Sequence, residues 1–289
     1  MRQETITFAC MTTPRLPNLK RLLPKVLPYV DRAVIVIGKK DDEAIEYLKS
    51  LGPKMTIVFR KWDDNFANQW NEYLRHVSSG WVLICDDDEV PSQPLLESLD
   101  KLVNASQQGN NFCCVEFCAN PIYLADGKEH DNGPTDYYRQ IFFRKTGQMH
   151  YRGGTKTGCH QFLVGYQNNR IVKSKEVYYH IKSVSDEHRN AARNYFIYGI
   201  WLHGSADGDQ REEWHELKAI LKRTNPEVET WTDMERLMIA GNIHEDLKAW
   251  MVKWYQKFNG HSDYNEMRAV VSYYFQHLHP DENNGVLTF

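Results

Sequence analysis

Four consecutive acids, Asp86-Asp87-Asp88-Glu89, follow directly on the apolar run Trp81–Cys85. Like charges held side by side repel one another, and a divalent cation relieves that cost. Magnesium and manganese bind through a few carboxylates and complete their coordination with water and substrate phosphates, so this cluster predicts a metal-assisted diphosphate site. The competing reading is a solvated acidic turn in which Asp88 or Glu89 caps the next helix. Placement straight after a buried strand favours the cation, because open α/β sheets bind ligands beyond the carboxyl ends of their strands. The Asp-x-Asp spacing points Asp86 and Asp88 in similar directions.

The elements that must position these acids alternate between strand and helix. Thr5–Cys10, Ala33–Ile37, Met55–Phe59 and Trp81–Cys85 are short apolar, β-rich runs. Between them, 18–30, 42–51 and 66–77 carry apolar residues at helical spacing, and a further helix is expected at 94–105. Gly52-Pro53 is a helix stop. Near-continuous apolar strands alternating with helices predict a parallel sheet covered on both faces. Thr12–Arg15, Gly38–Asp41, Lys61–Asp63 and Asp86–Glu89 all lie just past strand ends and should converge on one edge of that sheet. From about residue 112 the pattern changes to strands at 112–117, 138–143 and 177–181, separated by loops, with Gly153–Gly158 expected to be flexible. From Ser185 onward the pattern is helical.

A chain of 289 residues with 42% hydrophobic and 25% charged residues is an ordinary globular protein, long enough for one large domain with a helical extension. No run approaches the ~18 apolar residues of a membrane span, and the N-terminal residues lack a signal-peptide layout. A cytoplasmic protein without a transmembrane segment is expected. Six cysteines, Cys10, Cys85, Cys113, Cys114, Cys118 and Cys159, fall mostly in apolar runs and read as small buried hydrophobes. The Cys113-Cys114-x3-Cys118 group does not suit zinc, because neighbouring strand residues face opposite ways and no CxxC pair completes four ligands. The net charge of −3 hides an asymmetry: residues 137–184 hold nine Lys/Arg against the single acid Glu176. That segment is a candidate anion-binding face, or a solvated face with paired charges.

The stretches Phe66–Leu74 (FANQWNEYL) and Gly80–Glu89 (GWVLICDDDE) resemble glycosyltransferase family 2, nearest the branch of lipopolysaccharide-core sugar transferases. Phe66, Gln69, Asn71, Trp81, Leu83, Asp86, Asp88 and Glu89 match its helix and strand-end patterns, while Trp70 stands where the family usually has Arg. Arg139–Lys145 resembles a later R-x-F-R-K strand. His160-Gln161 stands where the branch often has His-Glu, and Tyr179-His180 resembles a strand whose His completes the metal site. The resemblance covers roughly residues 4–184. It implies a GT-A fold, Rossmann-like, with a mostly parallel sheet and helices on both faces, as a catalytic domain over 1–184. A helical region over 185–289 follows as a candidate acceptor-binding extension.

The same resemblance implies roles. Asp88, with His180, would hold Mn2+ or Mg2+ bridging the donor diphosphate, and Asp86 would contact the ribose or donor sugar. Thr12, Thr13 and Asp41 would hold the base and ribose, with Asn71 and Asp87 also on the donor side. Arg144 and Lys156 would offset phosphate charge. An inverting transferase needs a base beside the acceptor hydroxyl. The family position falls on Gln161, which takes no proton, leaving His160, Asp136 or Glu116 as candidates, or a structural role for His160. The expected function is transfer of a sugar from a nucleotide-sugar, UDP-linked by preference. The acceptor would be a glycan, a lipid-linked glycan or a modified nucleic acid. A nucleotidyltransferase would also use a strand-end acidic cluster, but it favours a Gly-rich loop after the first strand, and Cys10–Pro14 contains no glycine. A non-catalytic nucleotide-sugar-binding module is the third reading. In the tail, pairs such as Tyr195/Tyr198 and Trp250/Trp254 share a helical face and are expected to pack helices rather than stack on ligands.

Overall fold

The computed structural model describes residues 4–62, 66–110, 112–125, 128–152, 162–166 and 170–183, and, further on, 216–217, 219–228, 244–247 and 249–250. The chain divides into two compact units, residues 1–154 with 158–183, and residues 155–157 with 184–289.

In the first unit, β1 (Ile6–Thr12), β2 (Arg32–Ile37), β3 (Met55–Phe59) and β4 (Trp81–Ile84) pair in parallel in the order β3-β2-β1-β4. Side chains alternate between faces along a strand, yet Ile6–Cys10, Ala33–Ile37 and Trp81–Ile84 are buried without a break. Both faces of this half-sheet are therefore covered, as its unbroken apolar runs predict. The helices between these strands are α1 (Leu16–Val26), α2 (Asp42–Ser50) and α3 (Phe66–Arg75). Leu19, Leu22, Leu23 and Val26 of α1 recur at helical spacing and are all buried. Pro28 has no amide hydrogen to donate, so the expected helix to residue 30 ends at Val26 and continues as a 3-10 turn over Leu27–Tyr29.

The second half of the sheet is mixed. β5 (Glu89–Pro91) is followed by α4 (Gln93–Ala105). Then come β6 (Cys114–Ala125), β7 (Lys128–Asp131), β8 (Tyr138–Arg144), β9 (His150–Arg152), β10 (Phe162–Val164) and β11 (Ile171–Ser183). The order continues from β4 as β8-β6-β11-β5, with β7 on β6 and with β9 and β10 forming a separate hairpin pair. The α/β architecture, a curled sheet with a parallel N-terminal half, is the GT-A arrangement implied above.

Two pairings decide what reaches the acidic cluster. β8 runs antiparallel to β4, with Leu83 opposite Phe142 and Trp81 opposite Arg144. The start of β8 therefore lies beside the end of β4. β5 runs antiparallel to the far end of β11, with Glu89 opposite His180. A buried aromatic layer fixes the β4–β8 contact: Trp81 stacks on Phe142 at 4.6 Å between ring centroids and meets Phe112 edge-on at 5.9 Å. Gly80 makes the turn into β4. Its φ is +89°, and a Cβ there would lie 2.5 Å from the Thr5 carbonyl oxygen, so only glycine fits.

In the second unit, Leu217, Ile220, Leu221, Leu247 and Trp250 are buried, and Arg223 binds Asp246 at 2.8 Å. Trp250 is thus a packing residue, while Tyr195, Tyr198 and Trp254 lie outside the described residues. Among the described residues no helix is long and apolar enough to cross a membrane. Cys10, Cys85, Cys114 and Cys118 are buried free thiols.

Candidate functional site

Past the end of β4 the chain makes a tight turn, with Glu89 N–H donating to the Asp86 carbonyl at 3.0 Å, before entering β5. Within this turn the four acids take different partners. Ser92 supplies the cap of α4, its hydroxyl accepting from Leu95 N–H at 3.3 Å, so no acid of the cluster serves there.

Asp87 turns inward and is 3% exposed. It accepts from the Thr12 hydroxyl at 2.5 Å and from Arg15, whose Nε lies 3.1 Å from Oδ2 and whose Nη2 donates to Oδ1. The fork of Arg15 therefore grips Asp87 with both arms. The same Nη2 reaches Asp88 Oδ2 at 3.1 Å. Glu89 also turns inward. It accepts from Asp86 N–H at 2.9 Å and pairs with Arg139 from the start of β8. Arg139 lies over the rings of Trp70 at 5.3 Å and Tyr178 at 5.8 Å, and 3.7 Å from the Asp86 carboxylate.

Asp86 and Asp88 remain the half-buried members facing outward. Ile181 N–H donates to the Asp88 carbonyl at 2.8 Å, which locks the turn to β11. His180 Nε2 then sits 3.8 Å from Asp88 Oδ1. Adjacent donors on one cation lie about 3 Å apart when each bond is about 2.1 Å, so a closing of under about 1 Å would let this imidazole–carboxylate pair share a metal ion. Among the described residues no group of three or more His, Cys, Asp or Glu forms such a site. Two protein donors would leave the remaining positions of such an ion to phosphate and water.

The electrostatics follow from burial. Desolvation, then Glu89, push the Asp86 carboxyl well above its ordinary range, with Arg139 opposing. Burial pushes the Asp87 carboxyl up to about 6 against the pull of Arg15. Burial also lowers His180, outweighing Glu89 and Asp88, which keeps its imidazole neutral and able to act as a ligand. Buried, mutually repelling carboxyls next to a neutral imidazole form a set that gains by taking up a cation.

Around this centre the structure sorts the sequence-derived residues. Thr12 is taken up by Asp87. Thr13 is exposed and borders Gly38, which also faces Trp62 and Gln69. Thr13, Gly38 and Trp62 thus lie together past the ends of β1, β2 and β3, next to the buried Gln69 of α3. Asp41 is exposed and caps α2, accepting from Ala44 N–H at 2.9 Å. The Asn71 amide is spent on β9, donating to Tyr151 O at 2.8 Å and accepting from Tyr151 N–H at 2.7 Å. Arg144 is not brought to the cluster: it lies at the opposite end of β8, opposite Trp81, and pairs with Glu4. Of the candidate bases, Glu116 accepts from Gln140 at 3.1 Å and Asp136 is exposed. Lys156, His160 and Gln161 lie outside the described residues, as does the 153–158 loop.

Sequence reasoning missed Arg139 and Arg15 as parts of the centre. Both lie in segments that the sequence marks out, but only strand pairing shows that β8 enters the site by its first residues. Arg15, in turn, is recognisable only once Asp87 is seen to point inward.

No curated protein matches the chain. Among solved structures, it resembles the mannosyltransferase PcManGT from Pyrobaculum calidifontis in complex with GDP-Man and Mn2+, at 15% identity and a TM-score of 0.44, over 96% of this chain and 88% of that one. It also resembles CMP:2-keto-3-deoxy-manno-octonic acid synthetase complexed with CTP, at 12% identity and a TM-score of 0.32, over 40% of this chain. The chain spans about half the length of that synthetase, 53%. At these scores neither likeness bears on the chemistry. Residues 13–167, more than half of the sequence, match the family described as glycosyl transferase family 2, and the chain belongs to that family.

Proposed function

We propose that this protein is a metal-dependent glycosyltransferase that moves a sugar from a nucleotide-sugar, UDP-linked by preference, to an acceptor hydroxyl. Residues 1–184 would serve as the catalytic domain and residues 185–289 as an acceptor-side extension. The observation that carries the reading is the meeting of Asp88 and His180, 3.8 Å apart, beyond the end of β4. Two donors from distant strands are brought together at the sheet edge where α/β folds bind ligands.

On this reading Asp88 Oδ1 and His180 Nε2 would hold Mn2+ or Mg2+, and the mixed nitrogen–oxygen pair favours Mn2+. The bound ion would supply Lewis-acid stabilisation of the departing diphosphate. Asp86, half-buried beside Arg139, would hold ribose or donor-sugar hydroxyls. Thr13 and Trp62, beside Gly38 past the ends of the first strands, would face the nucleoside. Asn71, whose amide already serves β9, would reach a donor only by giving up those bonds, whereas the exposed Asp41 caps α2 through Oδ1 and would offer its other oxygen. The basic 137–184 segment suits an anionic acceptor, whether a glycan, a lipid-linked glycan or a modified nucleic acid. The cytoplasm is the expected setting, and buried free thiols suit a reducing compartment.

The test is a melting-temperature screen of UDP, GDP and CDP with and without Mn2+, followed by assay of the best donor sugar. A ligand that binds only the folded state raises the apparent stability. The expected result is a Mn2+-dependent shift that disappears in Asp88→Ala. A full shift retained in that variant overturns the metal assignment, and pyrophosphate release from a nucleoside triphosphate would indicate nucleotidyl transfer instead.

A further inference from the structure

The cluster contains a guanidinium that the metal reading leaves without a task. Arg15 follows β1 and starts α1, its carbonyl accepting from Asn18 and Leu19 N–H. Its Nε and Nη2 are committed to Asp87 and Asp88, which uses three of its five N–H groups. Nη1 makes no hydrogen bond among the described residues, and the side chain is 43% exposed. Asp87, by contrast, is buried and also tied to Thr12. A buried carboxylate thus holds a half-exposed guanidinium rigidly at the rim of the site, with two N–H donors unspent.

We propose that Arg15 is a diphosphate-binding residue and that Asp87 is the positioning residue that aims it. This inference rests on the metal reading of Asp88. A phosphate oxygen bound beside Asp88 Oδ1 would lie next to the guanidinium that touches Asp88 Oδ2. Nη1 is the donor left to meet it. Without a phosphate, Arg15 is a positive charge beside a metal ligand and disfavours a second cation there. With a phosphate, it opposes the charge that builds on the leaving group. Arg15 therefore makes binding of metal and diphosphate interdependent. It takes the role of offsetting phosphate charge that Arg144, paired with Glu4 at the other end of β8, is not placed to fill. The resemblance gave that role to Arg144 and Lys156, of which Lys156 lies outside the described residues.

The experiment compares Arg15→Gln, Asp87→Asn and the double variant with the unaltered full chain. Binding of UDP (or of GDP or CDP, whichever binds best) and of its parent nucleoside is measured by calorimetry in Mn2+, and Mn2+ binding alone by its paramagnetic resonance signal. A charge-assisted hydrogen bond predicts that Arg15→Gln weakens the diphosphate about 10- to 100-fold. It should leave the nucleoside unchanged and Mn2+ alone bound as well or better. Asp87→Asn keeps the guanidinium but loosens its aim, and should give a smaller loss of the same kind. The double variant removes both charges together and so avoids stranding a buried carboxylate, which keeps the test valid if Arg15→Gln alone fails to fold. Equal weakening of diphosphate and nucleoside, or no weakening of either, overturns the proposal. If the unaltered protein binds no nucleoside diphosphate with Mn2+, the metal reading itself fails, a result distinct from either of these.

Discussion

Replacing Arg139 by methionine tests the electrostatic core of the site. Glu89 is 1% exposed and has two partners, Arg139 and the Asp86 N–H. Removing the guanidinium strands a buried carboxylate on a single amide, a change that costs about 3–5 kcal/mol. Loss of the contacts over Trp70 and Tyr178 adds to this, partly offset because the methionine stem still covers those rings. A net loss of about 4 kcal/mol corresponds to a fall of about 8–16 °C in melting temperature for a unit of this size. Urea unfolding followed by tryptophan fluorescence reads the loss directly. The companion variant is Arg139→Met with Glu89→Gln. Replacing both partners of a buried pair by neutral groups is near neutral, so the double variant should recover most of the stability. A single-variant loss below about 1 kcal/mol, or a double variant no more stable than the single, would refute the claim that Glu89 depends on Arg139.

Three further outcomes are expected. Gly80→Ala should destabilise by at least about 2 kcal/mol, because a Cβ would meet the Thr5 carbonyl at positive φ; an unchanged melting temperature would contradict this. Asn71→Ala removes both bonds between α3 and β9 and should cost about 1–3 kcal/mol while the folded protein keeps its nucleotide affinity. Selective loss of affinity at unchanged stability would instead place the amide on the ligand. Mn2+-dependent UDP affinity should rise as pH increases through about 6, because ionisation of Asp87, which burial pushes up to about 6, adds negative charge beside the cation that Asp88 and His180 would hold. In the metal-free protein the sign reverses: the raised Asp87 carboxyl contributes stability that is present below about 4 and lost as pH rises through about 6. Calorimetry and melting curves across that range check both signs, and a flat affinity rejects the first.

The parallel half of the fold is legible in the sequence because strands buried on both faces must be continuously apolar, as Ile6–Cys10 and Trp81–Ile84 are. β7 is not legible, since all four of its residues, Lys128–Asp131, are exposed and polar and it is held only by pairing with β6. β5 is three residues long, and its first, Glu89, reads as part of the acidic cluster until His180 is seen opposite it. The position of Asp86–Glu89 beyond a buried strand is readable, but the division of labour among the four is not. It depends on Thr12 and Arg15, more than seventy residues away, and on which end of β8 meets β4. Asn71 shows the reverse case: a residue that matches a family pattern spends its amide on a backbone contact no local pattern could show.

The charge balance of the cluster sets the order in which its ligands can arrive. With its acids ionised and His180 neutral, the centre holds four carboxylates and two guanidiniums, Arg15 and Arg139, and so stays strongly negative. One guanidinium is buried against Glu89 and the other is gripped by Asp87, so neither can swing away to receive an anion alone. Two like unit charges near a protein surface repel by about 4 kcal/mol at 4 Å. A bare diphosphate approaching Asp86 and Asp88 therefore meets repulsion that Nη1 of Arg15 only partly offsets. A divalent ion removes that repulsion and supplies the missing bonds, but with two protein donors it is itself weakly held. On the proposed reading each ligand supplies what the other lacks, so metal and nucleotide should enter together, as a complex preformed in solution.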